Sequence, residues 1–157
     1  MKMIAVIVLG VLLIVFGFFI WLGQSSQSGK ALGLLNNSLQ PCPDTPNCVT
    51  SELGPEAEKF IAPLDISMFN NTEMDILAAI ETAIVSSGGK IENKHSGYLA
   101  ATFKSAIFGF VDDVEVRIVP GKLIHFRSAS REGKSDFGAN LKRLTALKQL
   151  IQKNLEK

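Results

Sequence analysis

The residues with the most chemistry to offer fall in one stretch, Arg127-Ser128-Ala129-Ser130-Arg131-Glu132-Gly133-Lys134-Ser135-Asp136-Phe137-Gly138-Ala139-Asn140. It reads as a strand running through a glycine-broken loop into a helix. A helix amino terminus presents free amides, so Arg131, Lys134 and Ser135 beside one make an anion site chemically reasonable. The competing account is a capped helix with solvated charges. A hydrolytic reading would use His125 as general base beside Ser128 or Ser130, oriented by Asp113. Strand alternation turns Ser128 and Ser130 away from His125, which counts against it. Asp112 and Asp113 are adjacent in a strand, so their carboxylates diverge and form no acid/base pair. Gly133-Lys134-Ser135 imitates the end of a nucleotide-binding loop, but that pattern requires glycine where Ser128 stands.

These residues need a hairpin and a helix to position them. Residues 110–119 alternate, with Val114, Val116 and Ile118 on one side and Asp113, Glu115 and Arg117 on the other. Pro120-Gly121-Lys122 then turns the chain into residues 123–131. A turn of this length pairs Val119 with Leu123, Val116 with Phe126, Arg117 with His125 and Glu115 with Arg127. A shift by one residue would set apolar against polar down the hairpin. The outer face then carries Tyr98, Thr102, Lys104, Asp113, Glu115, Arg117, His125 and Arg127. A final helix is expected to start near Ser135 or Asp136, either a possible cap, with Leu141, Leu144, Leu147, Ile151 and Leu155 as its buried stripe.

Upstream, Asn71 or Thr72 can cap a helix with Leu77, Ile80 and Ile84 facing inward, ended by Gly88-Gly89. Residues 90–93 and 98–104 read as strands, and residues 58–64 as a short edge strand limited by Pro63. The pattern predicts an α+β fold: an antiparallel sheet of about four to five strands with two helices on one face, preceded by one N-terminal transmembrane helix.

That preceding segment is residues 3–22, apolar without interruption and, as a helix, roughly 30 Å long, the thickness of a bilayer core. Lys2 before it favours a cytoplasmic amino terminus with the domain exported, and Trp21 suits the outer interface. A cleaved signal peptide is the rival, but the run exceeds the usual h-region and no Ala-x-Ala follows. The expected organisation is an anchor at 3–22, a polar tether at 23–35 and a single globular domain at 36–157. The expected location is the inner (cytoplasmic) membrane, single-pass, with the domain on the exported side.

Cys42 and Cys48, in a loop stiffened by Pro41, Pro43 and Pro46, are expected to pair there. A metal site would need more ligands than two cysteines supply, and no cofactor is called for. Residues 40–92 carry nine acids against Lys59 and Lys90, while residues 93–157 carry twelve bases against six acids. The halves could attract one another, or the basic half could meet anionic head groups. Nucleic acid is disfavoured, because no dense basic run exists.

Cys42-Pro43-Asp44-Thr45-Pro46-Asn47-Cys48-Val49, Phe110-Val111-Asp112-Asp113-Val114-Glu115-Val116-Arg117 and the stretch from Arg127 to Asn140 together resemble the bacterial and plastid family known as domain of unknown function 1499. The resemblance covers about residues 32–155, and Arg143 also fits its pattern. It implies that Arg127, Ser128, Ser130, Arg131, Ser135, Asp136 and Asn140 belong together, and it carries over no catalytic role. The preferred reading is a membrane-anchored, non-enzymatic envelope module that binds an anionic ligand or a protein partner. Its candidate residues are Arg117, His125, Arg127, Ser128, Ser130, Arg131, Lys134, Ser135, Asp136, Asn140 and Arg143. The alternatives are an envelope hydrolase built on His125 and a polar network that is purely structural.

Overall fold

A computed structural model describes residues 1–156. The chain opens with helix α1 (Lys2–Ser25), of which only Gly23 is buried. It is long and apolar enough to cross a membrane. A single 3-10 turn, Ser26–Ser28, follows. The polar residues after the apolar run lie against the domain. Ser26 is buried; its Oγ accepts from the Val111 amide at 3.0 Å, and its carbonyl accepts from Arg131. A Cβ on Gly23 would stand 1.8 Å from the Phe108 carbonyl oxygen, so only glycine allows α1 to come this close.

Strands β1 (Leu34–Leu35) and β2 (Ser38–Leu39) make a small hairpin. Asn36 and Asn37 form its two-residue turn, both at positive φ (50° and 62°), as a primed turn demands. Next come β3 (Cys48–Thr50), β4 (Leu64–Asp65) and helix α2 (Glu73–Ser86). Thr72 caps α2 in a reciprocal capping box with Asp75. Gly88, at φ +85°, lies just beyond its end. Residues 58–64, expected as an edge strand, contribute only β4 and one isolated bridge from Phe60 to Thr50. Pro63, unable to donate, separates that bridge, made by Lys59 and Ile61 to Thr50, from β4.

The main sheet is completed by β5 (Lys90–His95), β6 (Tyr98–Lys104), β7 (Val111–Val119) and β8 (Leu123–Ser130), in the order β3-β8-β7-β6-β5, with β4 also paired to β8. All its strand pairings are antiparallel. The β7–β8 register is the expected one: Val119 with Leu123, Val116 with Phe126, Arg117 with His125, Glu115 with Arg127.

Helix α3 (Ala139–Leu155) packs beside α2 on one sheet face. Between helices and sheet lies the core, with Ile80, Ile84, Leu144, Leu147 and Ile151 against Leu99, Phe103, Val114, Val116 and Phe126. Two expectations for α3 are corrected. Leu141 is exposed, and Asn140 takes its place at the head of the buried stripe. The helix also starts later than Ser135 or Asp136, with Gly138 at the N-cap position. Asp136 nevertheless serves as the cap, accepting from the Gly138 and Asn140 amides at 3.0 and 2.7 Å.

Candidate functional site

The candidate residues divide between the two faces of the sheet and the loop beyond its edge. On the helix face, Ser128 and Ser130 alternate inward from β8 beneath the first turns of α3. Ser128 Oγ donates to Asn140 Oδ1 at 2.5 Å, and Asn140 Nδ2 donates to Ser130 Oγ (3.1 Å) and to the Asn47 carbonyl (2.9 Å). One turn on, Arg143 donates to Asn140 Oδ1 (2.6 Å), Ser128 Oγ (3.2 Å) and Asp112 Oδ2 (2.6 Å). Its guanidinium also lies 4.8 Å from the Phe103 ring centroid. Asn47 closes the set by donating to the Gly133 carbonyl at 2.8 Å. Asn140 and Ser128 are wholly buried. Their polar atoms therefore need these internal partners, since water does not reach them.

On the opposite face, Arg117, His125, Arg127 and Arg131 are not the solvated row that alternation alone suggests. The β1–β2 hairpin covers part of this face, laying Leu39 against Tyr98 and Ala100. Glu115, completely buried, accepts from Arg127 Nη1 (2.9 Å), the Tyr98 hydroxyl (2.7 Å) and the Gly33 amide (2.8 Å). Burial, reinforced by the Glu115 carboxylate, pushes the Tyr98 hydroxyl far above its ordinary pKa. Arg131 grips both oxygens of Asp113 at 2.7 and 2.8 Å, and that hydrogen bonding raises its own pKa. Arg117 donates to Glu52 at 2.6 Å. Of the expected attraction between chain halves, this pair and Lys94–Glu81 are the instances among the described residues. Arg127–Glu115, Arg131–Asp113 and Arg143–Asp112 lie within the later half.

His125 sits with Nδ1 3.2 Å from Ser51 Oγ. That hydroxyl also accepts from the Phe126 amide at 2.8 Å and is nearly buried. Burial, with the Arg117 charge nearby, holds the imidazole pKa below its ordinary value. Asp113, the proposed orienter, is committed to Arg131, and Ser128 and Ser130 lie across the sheet. Among the described residues, no carboxylate hydrogen-bonds His125.

The remaining candidates, Lys134, Ser135 and Asp136, stand outside these networks. They border a groove of about 710 Å³ between the end of α1 and the 131–139 loop. Phe19, Leu22, Ile107, Phe108, Phe110 and Phe137 supply its apolar lining. Phe108 packs against Phe16 and Phe19 of α1, with ring centroids 5.6 and 5.3 Å apart. Ile107 is 74% exposed and Phe137 fully so, the latter at φ +52°. An aromatic residue in the left-handed region is a rare and costly placement. The helix amides that made an anion site attractive are filled by Asp136, so an incoming anion would have to displace that carboxylate.

Sequence reasoning missed Glu52, Asn47, Tyr98 as a partner of Glu115, and the apolar pair Ile107 and Phe137. The adjacent asparagines 36 and 37, both tolerant of positive φ, were the available signal for the hairpin that buries the outer face. Cys42 and Cys48 lie at disulfide distance, with Cα atoms 5.6 Å apart, and tie down the loop that delivers Asn47.

Residues 38–151 match the family described as protein of unknown function (DUF1499), and the chain belongs to that family. No curated protein matches the chain.

Proposed function

With family membership as the premise, we propose that the chain is a single-pass, membrane-anchored binding module and that its working surface is the groove between α1 and the 131–139 loop. The observation that carries this reading is Phe137: a fully exposed aromatic at positive φ, facing an apolar groove, serves no fold. Strain kept at a position that packs against nothing points to an external partner. Lys134 and Ser135, both exposed on its border, are polar residues open to that partner. Arg117, His125, Arg127, Ser128, Ser130, Arg131, Asn140 and Arg143 hold the scaffold that aims the loop. This assigns the buried part of the polar stretch to structure and its exposed part to binding. The hydrolase alternative lacks support, because His125 has neither its carboxylate nor its serine from that stretch.

In this reading α1 is retained, since Gly23 and Ser26 pack into the domain. The amino terminus is cytoplasmic and the domain faces the exported side, supported by Lys2 before the apolar run and by the cysteine pair. The pair should resist alkylation in intact cells until a reductant is added; immediate alkylation would place the domain on the reducing side.

Replacing Phe137 with p-benzoylphenylalanine in the full chain, then irradiating native membranes, tests the binding surface. An adduct from position 137, and none from the similarly exposed Met68, is expected. Absence of any adduct at 137 would contradict the assignment.

A further inference from the structure

We propose that the groove takes one acyl chain of a membrane phospholipid, with Lys134 meeting the lipid phosphate; this rests on the groove being the working surface. Depth is the first support. Phe108 contacts Phe16, which precedes Trp21 by five residues and so lies about 7.5 Å below it along the helix axis. With Trp21 at the interface, the loop bearing Ile107 and Phe108 dips into the hydrocarbon boundary. Phe19 and Leu22, members of the span itself, line the groove, which makes it continuous with the lipid-facing surface of the span. Nothing but lipid lies at that depth unless a second protein displaces it.

Size agrees, and the border offers a cation. About 710 Å³ falls in the range of pockets that enclose small ligands, about 300–1,000 Å³. Three carboxylates border the groove, and each already has donors: Asp112 from Arg143, Asp136 from two helix amides, Glu132 from the Ser25 hydroxyl. Lys134 is exposed and, among the described residues, pairs with none of them. Only Asp112 is balanced by a cation, while Asp136 and Glu132 keep their charge; Lys134 is the one cation among the described residues bordering the groove, and so the side chain that can meet a head-group phosphate. The Ser135 hydroxyl beside it can donate to the same phosphate. Phe137, like Ile107, lines the groove, which gives its exposed placement a purpose.

The test uses the purified full chain in nanodiscs of phosphatidylcholine doped with phosphatidylglycerol that carries a diazirine near the end of one acyl chain. After irradiation, labelled peptides are mapped by mass spectrometry. Labelling of residues 106–110 and 134–137, beyond the general labelling of α1, is expected. Lys134→Gln should lower the preference for phosphatidylglycerol over phosphatidylcholine by about fivefold, the effect of one lysine near an anionic surface. Ile107→Ser with Phe137→Ser should remove groove labelling while α1 labelling persists, which also shows that the chain is still inserted. Labelling confined to α1 overturns the lipid proposal. If it is so confined while position 137 still gives a protein adduct in native membranes, the groove remains the working surface and its occupant is a protein. If position 137 yields no adduct of either kind, both readings fall.

Discussion

Asn140 and Phe137 lie three positions apart in the same polar stretch, yet they answer to different constraints. Asn140 is completely buried, and both ends of its amide are hydrogen-bonded to β8, α3 or the stapled loop. Phe137 is completely exposed, at a backbone angle that an aromatic side chain resists. A buried polar group with every partner present explains itself through stability. A strained, exposed apolar group explains itself only through something outside the chain. The comparison separates residues that sequence alone groups together, and it places chemistry-bearing types such as Arg127 and His125 on the structural side.

The largest blow to the scaffold should come from Arg127→Met. It strands the buried Glu115 carboxylate, a defect that generally costs about 3–5 kcal/mol. Urea unfolding of the full chain in mild detergent should show the loss, and Arg127→Met with Glu115→Gln should recover part of it. Equal losses in the single and double variants would mean that the ion pair is not the source.

Asn140→Ala should cost about 1–3 kcal/mol in the same assay, the range for stranding buried hydrogen-bonding groups. Ser128, Arg143 and Asn47 would each lose a partner at once. A change within error would move Asn140 out of the scaffold and back among binding candidates. Cys42→Ser with Cys48→Ser should cost about 2 kcal/mol, the chain-entropy value for so small a loop. Because that loop delivers Asn47, the cysteine and Asn140 variants should be less than additive when combined. Strict additivity would separate the staple from the network.

The smallest effect is a pH slope. The His125 pKa is depressed in the folded chain, so the unfolded chain binds the proton first as pH falls. Stability contributed by neutral His125 is present above the ordinary histidine pKa, near about 6.5, and declines as pH drops through it toward the folded value. His125→Gln should flatten the stability profile below about pH 6.5. An unchanged slope would remove His125 as its source; Asp65 and Asp75, whose carboxyls are held low by hydrogen bonds from Ser67 and Thr72, respond only below about pH 4.

Much of this fold is legible in the sequence because its strands alternate without ambiguity. Val114, Val116 and Ile118 permit one register against Ile124 and Phe126, and Thr72 with Asp75 marks a helix start by local chemistry alone. What failed to show was non-local. Asn140 replaces Leu141 on the buried face because Ser128 and Ser130, brought beneath it by the hairpin, offer it partners that periodicity cannot register. The outer sheet face reads as solvated until the Asn36-Asn37 turn folds a distant segment across it. The groove could not be read at all, since it joins α1 to loops nearly a whole domain away in sequence, and its key residues are ordinary apolar ones.

The division between scaffold and working surface is tested most directly by Phe137→Gly in the full chain, measured for unfolding and for photolabelling in nanodiscs on one preparation. Glycine relieves the positive φ and removes the aromatic wall. Stability at or above wild type, with groove labelling lost and α1 labelling retained, is the predicted result. A loss of stability comparable to that of Asn140→Ala, or groove labelling that survives intact, would contradict the account.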